Sequence, residues 1–347
     1  MFNTKPKFDH QPDKAGFYSE KAIRDAKHAL SYSTLKATIS DPFSLLHGKP
    51  DLNSHKGVIF GSLVDRLLFD GPDSLSEEFA LVDSFKIPTA NSLEIADERI
   101  KVCIKSKGES LGSIKPSEEQ FIKAARDLKL FEKNKDEVIG KKYTSDVAAY
   151  CNAKIISATG KKFFTKEDLT KAERAVEVLK THEYSKRYLV AGEDQEVYYQ
   201  VGLIEDYNGQ KIKGVYDIFI IDHKHKVILP MDLKTTANKP QDFKDAFRKF
   251  DYALQAELYS FMANQYRDKH YPGYLVMDFR YMVLSSRDIE NPFIYRFNEK
   301  VYAEKIAKPY GIKTLKDYIK EFNHIKTNNE FVYTEEHYTK GFIDLYV

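Results

Sequence analysis

The spacing of apolar positions changes character once along the chain, near residue 194. Before that point apolar residues recur every three to four positions, the period of helices with one buried face. Residues 1–28 are polar and read as an arm with one short helix. Ser33 is placed to cap a helix that carries Leu35 and Ile39 on one face, and Pro42 interrupts the pattern. Ile59, Leu63 and Leu67, with Val64 and Leu68 beside them, predict a buried stripe on a helix from Val58 to Phe69. Further helices are predicted near 91–106, 116–131 and 134–155, with surfaces rich in Lys and Glu. Thr165 to Asp168 reads as a capping box with Asp in place of Glu, opening a helix that runs to about residue 180.

After residue 194 the period becomes two. EVYYQVGLI and IKGVYDIFIID read as strands, the second with Val215, Asp217, Phe219 and Ile221 on one face. DHKHK is a polar turn, and KVILPMDLKTT is a third strand with Ile228, Pro230, Asp232 and Lys234 on one face. A long helix is predicted over 241–266, with Phe243, Phe247, Phe250, Leu254, Leu258 and Phe261 as its core stripe. The strand YLVMDFRYMVLSS and a helix around 298–323 follow. Helices, then a short meander, then a helix and a strand predict an α/β (α+β) domain with one central mixed sheet and a helical N-terminal half.

Composition narrows the class without naming a function. The 347 residues carry 54 basic and 52 acidic side chains, a net charge of +2. That balance excludes a polybasic packaging protein and an acidic tail, and 42% hydrophobic residues supply a packed core. No apolar run approaches the roughly 18 residues of a membrane span, and MFNTKPKFDHQPDK has no apolar signal segment. Cys103 and Cys151 make at most one disulfide and cannot supply four thiolates to a zinc or iron–sulfur site. The expectation is a reduced, soluble, cytoplasmic protein that binds no membrane.

The chemistry lies in the meander. Asp217 interrupts an otherwise apolar strand, and Asp232 and Lys234 share one face of the next. An unpaired buried carboxylate costs several kcal/mol, so two of them in one sheet call for a counter-charge. Mg²⁺, with Mn²⁺ as a substitute, prefers oxygen ligands and keeps several waters, so Asp217, Asp232 and the Leu233 carbonyl are a sufficient protein share. Lys234 would then stand beside a metal-bound water, to orient or deprotonate it or to stabilise charge at phosphorus. The plainer reading is a strand-end Asp and a same-face Asp–Lys pair at an exposed edge.

The pattern D…(D/E)-x-K on adjacent strands resembles the PD-(D/E)XK nucleases. In their RecB-like and lambda-type exonuclease branches the next helix carries Q-x-x-x-Y, and here Gln255 and Tyr259 stand on one helical face with Tyr252 three residues before. Ser31-Tyr32-Ser33-Thr34-Leu35 is similar to the S-x-S-x-L opening of RecE-type exonucleases. Gly61 to Asp65 is similar to their G-x-x-x-H helix, with Asp65 where that group often has a metal-binding His. Asp65 suits Mg²⁺ and also reads as a surface pair with Arg66. Glu196 matches an acidic position on the preceding strand and also reads as an exposed strand residue. The resemblance spans about residues 29–285, and 85–165 match nothing in it.

What the resemblance implies is a restriction-endonuclease-like core at about 190–290 within one domain from 29 to 347, with a helical insertion at about 85–165. It implies metal-dependent hydrolysis of linear duplex DNA, 5′ to 3′, in phage-type recombination or repair, by a ring-shaped homo-oligomer beside a single-strand annealing protein. Asp217 and Asp232 would hold the metal, with Leu233, Asp65 and Glu196 completing the site. Lys234 would act on the attacking water, Gln255 would help fix that water or Lys234, and Tyr259, Tyr252 and Ser33 would meet the DNA, Ser33 at a helix N-terminus where it also reads as an ordinary N-cap. No iron–sulfur cluster is expected. A structure-specific or restriction-type endonuclease, and a non-catalytic DNA-binding or assembly protein of the same fold, are the alternatives. Since +2 does not announce a nucleic-acid partner, the two charge signs are expected to segregate in space, carboxylates in a pit and Lys and Arg along the DNA path.

Overall fold

The computed structural model describes residues 15–47, 56–105, 117–329, 331–332 and 334–341. The chain forms two compact units, Met1–Pro50 with Glu177–Val347, and Asp51–Val176. The helical excursion is therefore longer at both ends than the 85–165 expected from the sequence.

The first unit opens with α1 (Glu20–Asp25), α2 (Tyr32–Ser40) and α3 (Ser44–His47). From residue 15 onward the expected polar arm is built into the fold. Phe17 is 1% exposed, Tyr18 bridges Gly202, and Leu30 bridges Ile212. Ser31, not Ser33, caps α2: its backbone is extended and its Oγ accepts the Thr34 N–H.

The second unit contains α4 (Lys56–Phe69), α5 (Leu75–Glu78), β1 (Phe79–Leu81), α6 (Ala90–Lys105), α7 (Glu118–Asp127), α8 (Asp136–Gly140), α9 (Ser145–Ala158) and β2 (Lys162–Phe164). It also holds the first part of α10 (Lys166–Thr181). β1 and β2 pair in parallel. Ile95, Phe121, Ala125, Ile139, Val147 and Cys151 form its core. The helix predicted over 134–155 is two helices, because the chain turns after Gly140 and Thr144 caps α9 anew. The box at Thr165 forms as predicted, with the Asp168 carboxylate accepting the Thr165 N–H at 3.0 Å and Thr165 Oγ1 accepting the Asp168 N–H at 3.2 Å.

Back in the first unit, β3 (Gln195–Tyr207), β4 (Gln210–Asp222) and β5 (Val227–Thr236) form an antiparallel meander. Asn208 and Gly209 close the first hairpin with φ of 50° and 87°. Positive φ at both central residues gives the turn whose twist matches its strands. The chain then crosses over through α11 (Phe243–Lys249) and α12 (Tyr252–His270) before β6 (Leu275–Val276), β7 (Phe279–Ser285) and β8 (Phe293–Phe297). The sheet order is β3-β4-β5-β7-β8, with β6 also on β5; β5 and β7 are parallel, which requires the helical crossover. α13 (Glu299–Tyr302) runs into a π-helical turn, and α14 (Leu315–Asn328) and α15 (Glu335–Lys340) follow. A mixed sheet flanked by helices is the restriction-endonuclease-like fold expected. No helix among the described residues is long and apolar enough to cross a membrane.

The crossover differs from the single helix predicted over 241–266. Asp251 takes a left-handed conformation (φ 56°, ψ 45°), which ends α11 and starts α12 on a new axis. Tyr318 donates to its carboxylate and Tyr32 donates to the Phe250 carbonyl, so side chains from α14 and α2 hold the break. Phe250 consequently leaves the predicted core stripe and is 41% exposed. α12 is buried on nearly every side, from Ala253 to Ser260 without interruption.

Candidate active site

β4 and β5 pair from Asp222↔Val227 to Ile218↔Met231 and then part. The next residues in that register are Asp217 and Asp232, so the two carboxylates stand at the fork. The Leu233 amide, with no β4 partner there, donates to Asp217 Oδ2 at 2.7 Å. The other oxygen, Oδ1, accepts from Gln200 Nε2 at 2.9 Å.

Gln200 explains how Asp217 is aimed. It has φ of 50° in the middle of β3, and the ladder skips the Gln200–Asp217 pair. Tyr216 and Phe219, three apart, both join the core under α12. The predicted alternation of Val215, Asp217, Phe219 and Ile221 on one face therefore loses its phase at Asp217. An irregularity of this kind re-aims a side chain next to a site. Sequence patterning does not single out Gln200; its only signal is a polar residue within an apolar strand beside the strand of Asp217.

Asp232 is 4% exposed. Its Oδ1 accepts from Gln255 Nε2 at 2.7 Å, and Oδ2 lies 2.6 Å from Lys234 Nζ in an ion pair without hydrogen-bonding geometry. Lys234 Nζ also sits 4.9 Å over the Tyr252 ring. Burial alone would depress this lysine, but Asp232, then Tyr252 and Asp217, hold its ammonium above the ordinary range. Tyr252 is fixed in turn by Tyr281, whose hydroxyl donates to its carbonyl at 2.6 Å.

Tyr259 lies one turn beyond Gln255 on α12. Its ring packs 4.8 Å from Tyr216 and 5.7 Å from Phe279, and its carbonyl accepts from the Tyr216 hydroxyl at 2.7 Å. Burial, then the nearby Asp232 carboxylate, raises its hydroxyl above the ordinary range. At 8% exposure it packs the helix against the sheet. Gly214 makes this approach possible, since a Cβ there would lie 2.5 Å from Tyr259 Cε1.

The structure does not bring Glu196 or Ser33 here. Glu196 pairs with Ile221, four residues along β4 from Asp217, which is about 13 Å at strand rise. Its carboxylate accepts from Tyr198 Oη at 2.7 Å and lies 3.5 Å from His223 Nε2, because the strand places it at the other end of the sheet. Ser33 is inside the first turn of α2, its Oγ 3.0 Å from that of Ser31, so it does not present the helix N-terminus. The neighbouring Tyr32 reaches the site instead, its ring 6.4 Å from Tyr252. Asp65 is half-buried on α4, in the other unit, and its part in the site belongs to the proposal below.

The donors fit a hard divalent cation. Gln255 Oε1 is buried without a hydrogen bond, and Asp232 Oδ2 meets the Lys234 ammonium without hydrogen-bonding geometry, so both oxygens keep acceptor capacity that a metal ion would use. Among the described residues no group of three or more His, Cys, Asp or Glu side chains comes together as a metal site. Two carboxylates with neutral oxygens suit Mg²⁺ or Mn²⁺, which retain water and take substrate phosphate as further ligands.

A mixed sheet with an Asp at its fork and Asp-x-Lys on the next strand is the arrangement that the D…(D/E)-x-K pattern of the sequence calls for. Residues 118–335 match the family profile of the PD-(D/E)XK nuclease superfamily, and the chain belongs to that superfamily. No curated protein matches it. Among solved structures it is similar to the "Putative exonuclease" of Eubacterium rectale, with 13% identity, a TM-score of 0.45, and coverage of 94% of this chain and 93% of that one. SSO0001 gives 10% identity, a TM-score of 0.22 and coverage of 60% and 80%. VC1899 from Vibrio cholerae gives 11%, 0.17, and 79% and 60%. These likenesses bear on no residue of the site.

Proposed function

We propose that this nuclease is a Mg²⁺-dependent exodeoxyribonuclease that degrades linear duplex DNA from a 5′ end in phage-type recombination or repair. The observation that carries the catalytic part is the Asp217–Asp232 fork, with Lys234 and Gln255 both on Asp232. Bound between the carboxylates, the metal would supply Lewis-acid activation of water and of the phosphate. Asp217 and Asp232 would hold it, with the Leu233 carbonyl beside them. Gln255 keeps the Asp232 carboxylate in one rotamer. Lys234, an ammonium whose reach is limited by Asp232 and Tyr252, stabilises negative charge developing on the phosphate.

The DNA side of this reading rests on Phe250. Its exposed ring stands 5.7 Å from Tyr252, with Lys36 and Lys249 ammoniums 5.1 and 5.6 Å from its centroid. An aromatic face with flexible cations suits a single strand, whose bases stack and whose phosphates take the charge. Cations on the approach and carboxylates within support the charge segregation expected from the sequence. Asp65 as a further metal ligand, a ring-shaped homo-oligomer and an annealing partner remain part of the proposal on resemblance alone.

The test is digestion of linear duplex labelled at the 5′ or the 3′ end, with Mg²⁺ and with EDTA, beside a covalently closed circle. Mg²⁺-dependent loss of linear DNA from 5′ ends, with the circle intact, is expected. Nicking of the circle would replace this reading with an endonuclease. Digestion unchanged by Asp232→Ala or Lys234→Ala would place the chemistry elsewhere.

A further inference from the structure

The sheet face opposite Asp232 carries a second cluster with a different charge. Arg280 pairs with Met231 and precedes Tyr281, the partner of Asp232, so alternation turns Arg280 to the other face. There it lines a cavity of about 730 Å³ with Lys180, Lys186, Arg187 and Tyr188, over a floor that includes Ile220, Leu229 and Met277. Arg280 Nη1 donates to Tyr188 Oη at 2.9 Å, and the Arg187 and Arg280 guanidiniums lie 5.4 and 5.5 Å from the Tyr188 ring. Four cations thus converge on one concavity.

The charge of three of them is not answered by the protein around them. Among the described residues no ion pair joins Lys186, Arg187 or Arg280 to an acidic side chain. The carboxylate on the wall, Asp222, already accepts from the His225 N–H at 2.8 Å, His225 Nδ1 at 2.9 Å and Gln195 Nε2 at 2.7 Å. Clustered like charges in a concave, partly apolar wall raise the local potential and draw an anion. Guanidiniums match phosphate oxygens two at a time, and an Arg plane or an apolar floor accepts a base or a sugar. The volume lies within the range of small-ligand sites.

We infer that this cavity is a nucleotide-phosphate site, separate from the catalytic fork, which takes either a released 5′-mononucleotide or a phosphate of the DNA strand. The test is calorimetric titration of the full chain with deoxyadenosine 5′-monophosphate and with deoxyadenosine. The nucleotide is expected to bind at least ten-fold tighter than the nucleoside, and Arg280→Ala to lose at least ten-fold of that affinity. Arg187→Ser, at an exposed position, is expected to weaken binding at least three-fold while unfolding at the parent temperature; it keeps the test valid if Arg280→Ala fails to fold. A 5′-phosphorylated ten-nucleotide strand, titrated into the Asp232→Asn variant with and without Arg187→Ser, separates the sources. Weakening of both strand and nucleotide assigns the site to the strand, and weakening of the nucleotide alone assigns it to product. Equal binding of nucleoside and nucleotide, or nucleotide binding unchanged by Arg187→Ser, would overturn the inference. The mononucleotide arm does not depend on catalysis at Asp232.

Discussion

Gln255 donates its amide to Asp232 Oδ1 at 2.7 Å across 23 residues of sequence, and this bond joins the crossover helix α12 to β5. Both partners are buried, so removing the donor leaves an anionic oxygen without a hydrogen bond. Gln255→Ala is expected to reduce DNA hydrolysis by about 10–100-fold, the usual effect of losing a group that orients a metal ligand. Gln255→Glu should be worse, because it sets a second carboxylate against Asp232. Initial rates on labelled linear duplex, with the melting temperature as the folding control, check both.

Gln200 plays the corresponding part for Asp217, from a backbone position with φ of 50°. Gln200→Ala removes the donor at this left-handed position. The expected outcome is roughly ten-fold weaker Mn²⁺ binding by calorimetry, with a matching rise in the Mg²⁺ needed for half-maximal rate. Gln200→Asn keeps an amide and tolerates the backbone, so it should recover part of the loss. Unchanged Mn²⁺ affinity in the alanine variant would show that Gln200 does not position Asp217.

How much of the site is legible in the sequence follows from which signals are local. Asp217, Asp232, Lys234 and Gln255 are readable because each sits in a short motif on a regular element, and strand and helix periods place their side chains. Gln200 is not, because its role depends on a change of phase in a strand, which no period-two pattern announces. Asp251 is hidden for a similar reason: the residue that breaks the long helix is held left-handed by Tyr318, 67 positions away. Glu196 and Ser33 are misplaced because residue type matches a motif while register and capping, which tertiary contacts decide, do not.

Gly214 permits the close approach of α12 to the sheet. An added Cβ would meet Tyr259 at 2.5 Å and Met262 at 2.7 Å, both inside van der Waals contact. The substitution Gly214→Ala is expected to cost about 1–3 kcal/mol, the range for overpacking a core. It should also lift Gln255 from Asp232, since Tyr259 and Gln255 share one helical turn. A lowered melting temperature together with a lowered turnover, at unchanged DNA affinity, is the expected result; loss of stability alone would separate Tyr259 from catalysis.

Glu257 makes the stability of the α12 packing depend on pH. It is 7% exposed on α12, and its Oε2 accepts the Leu315 N–H at 2.7 Å, tying α12 to α14. Burial, only partly offset by that hydrogen bond, and the carboxylates of Glu299, Asp251 and Asp317 push its carboxyl up to about 7. Below its unfolded value near 4.5 the group is protonated in both states and adds no pH dependence. Between 4.5 and about 7 the unfolded chain releases the proton while the folded chain keeps it, so stability falls as pH rises through that window. The loss levels off once the folded group ionises as well. It amounts to a few kcal/mol, on the order of 1.4 kcal/mol for each pH unit that the window spans. Glu257→Gln keeps an oxygen for the Leu315 amide and removes the titration. Its melting temperature should therefore match the parent near pH 4.5 and exceed it above pH 7, by several degrees. Parallel melting curves for the two proteins across that range would show that Glu257 does not hold its proton in the fold.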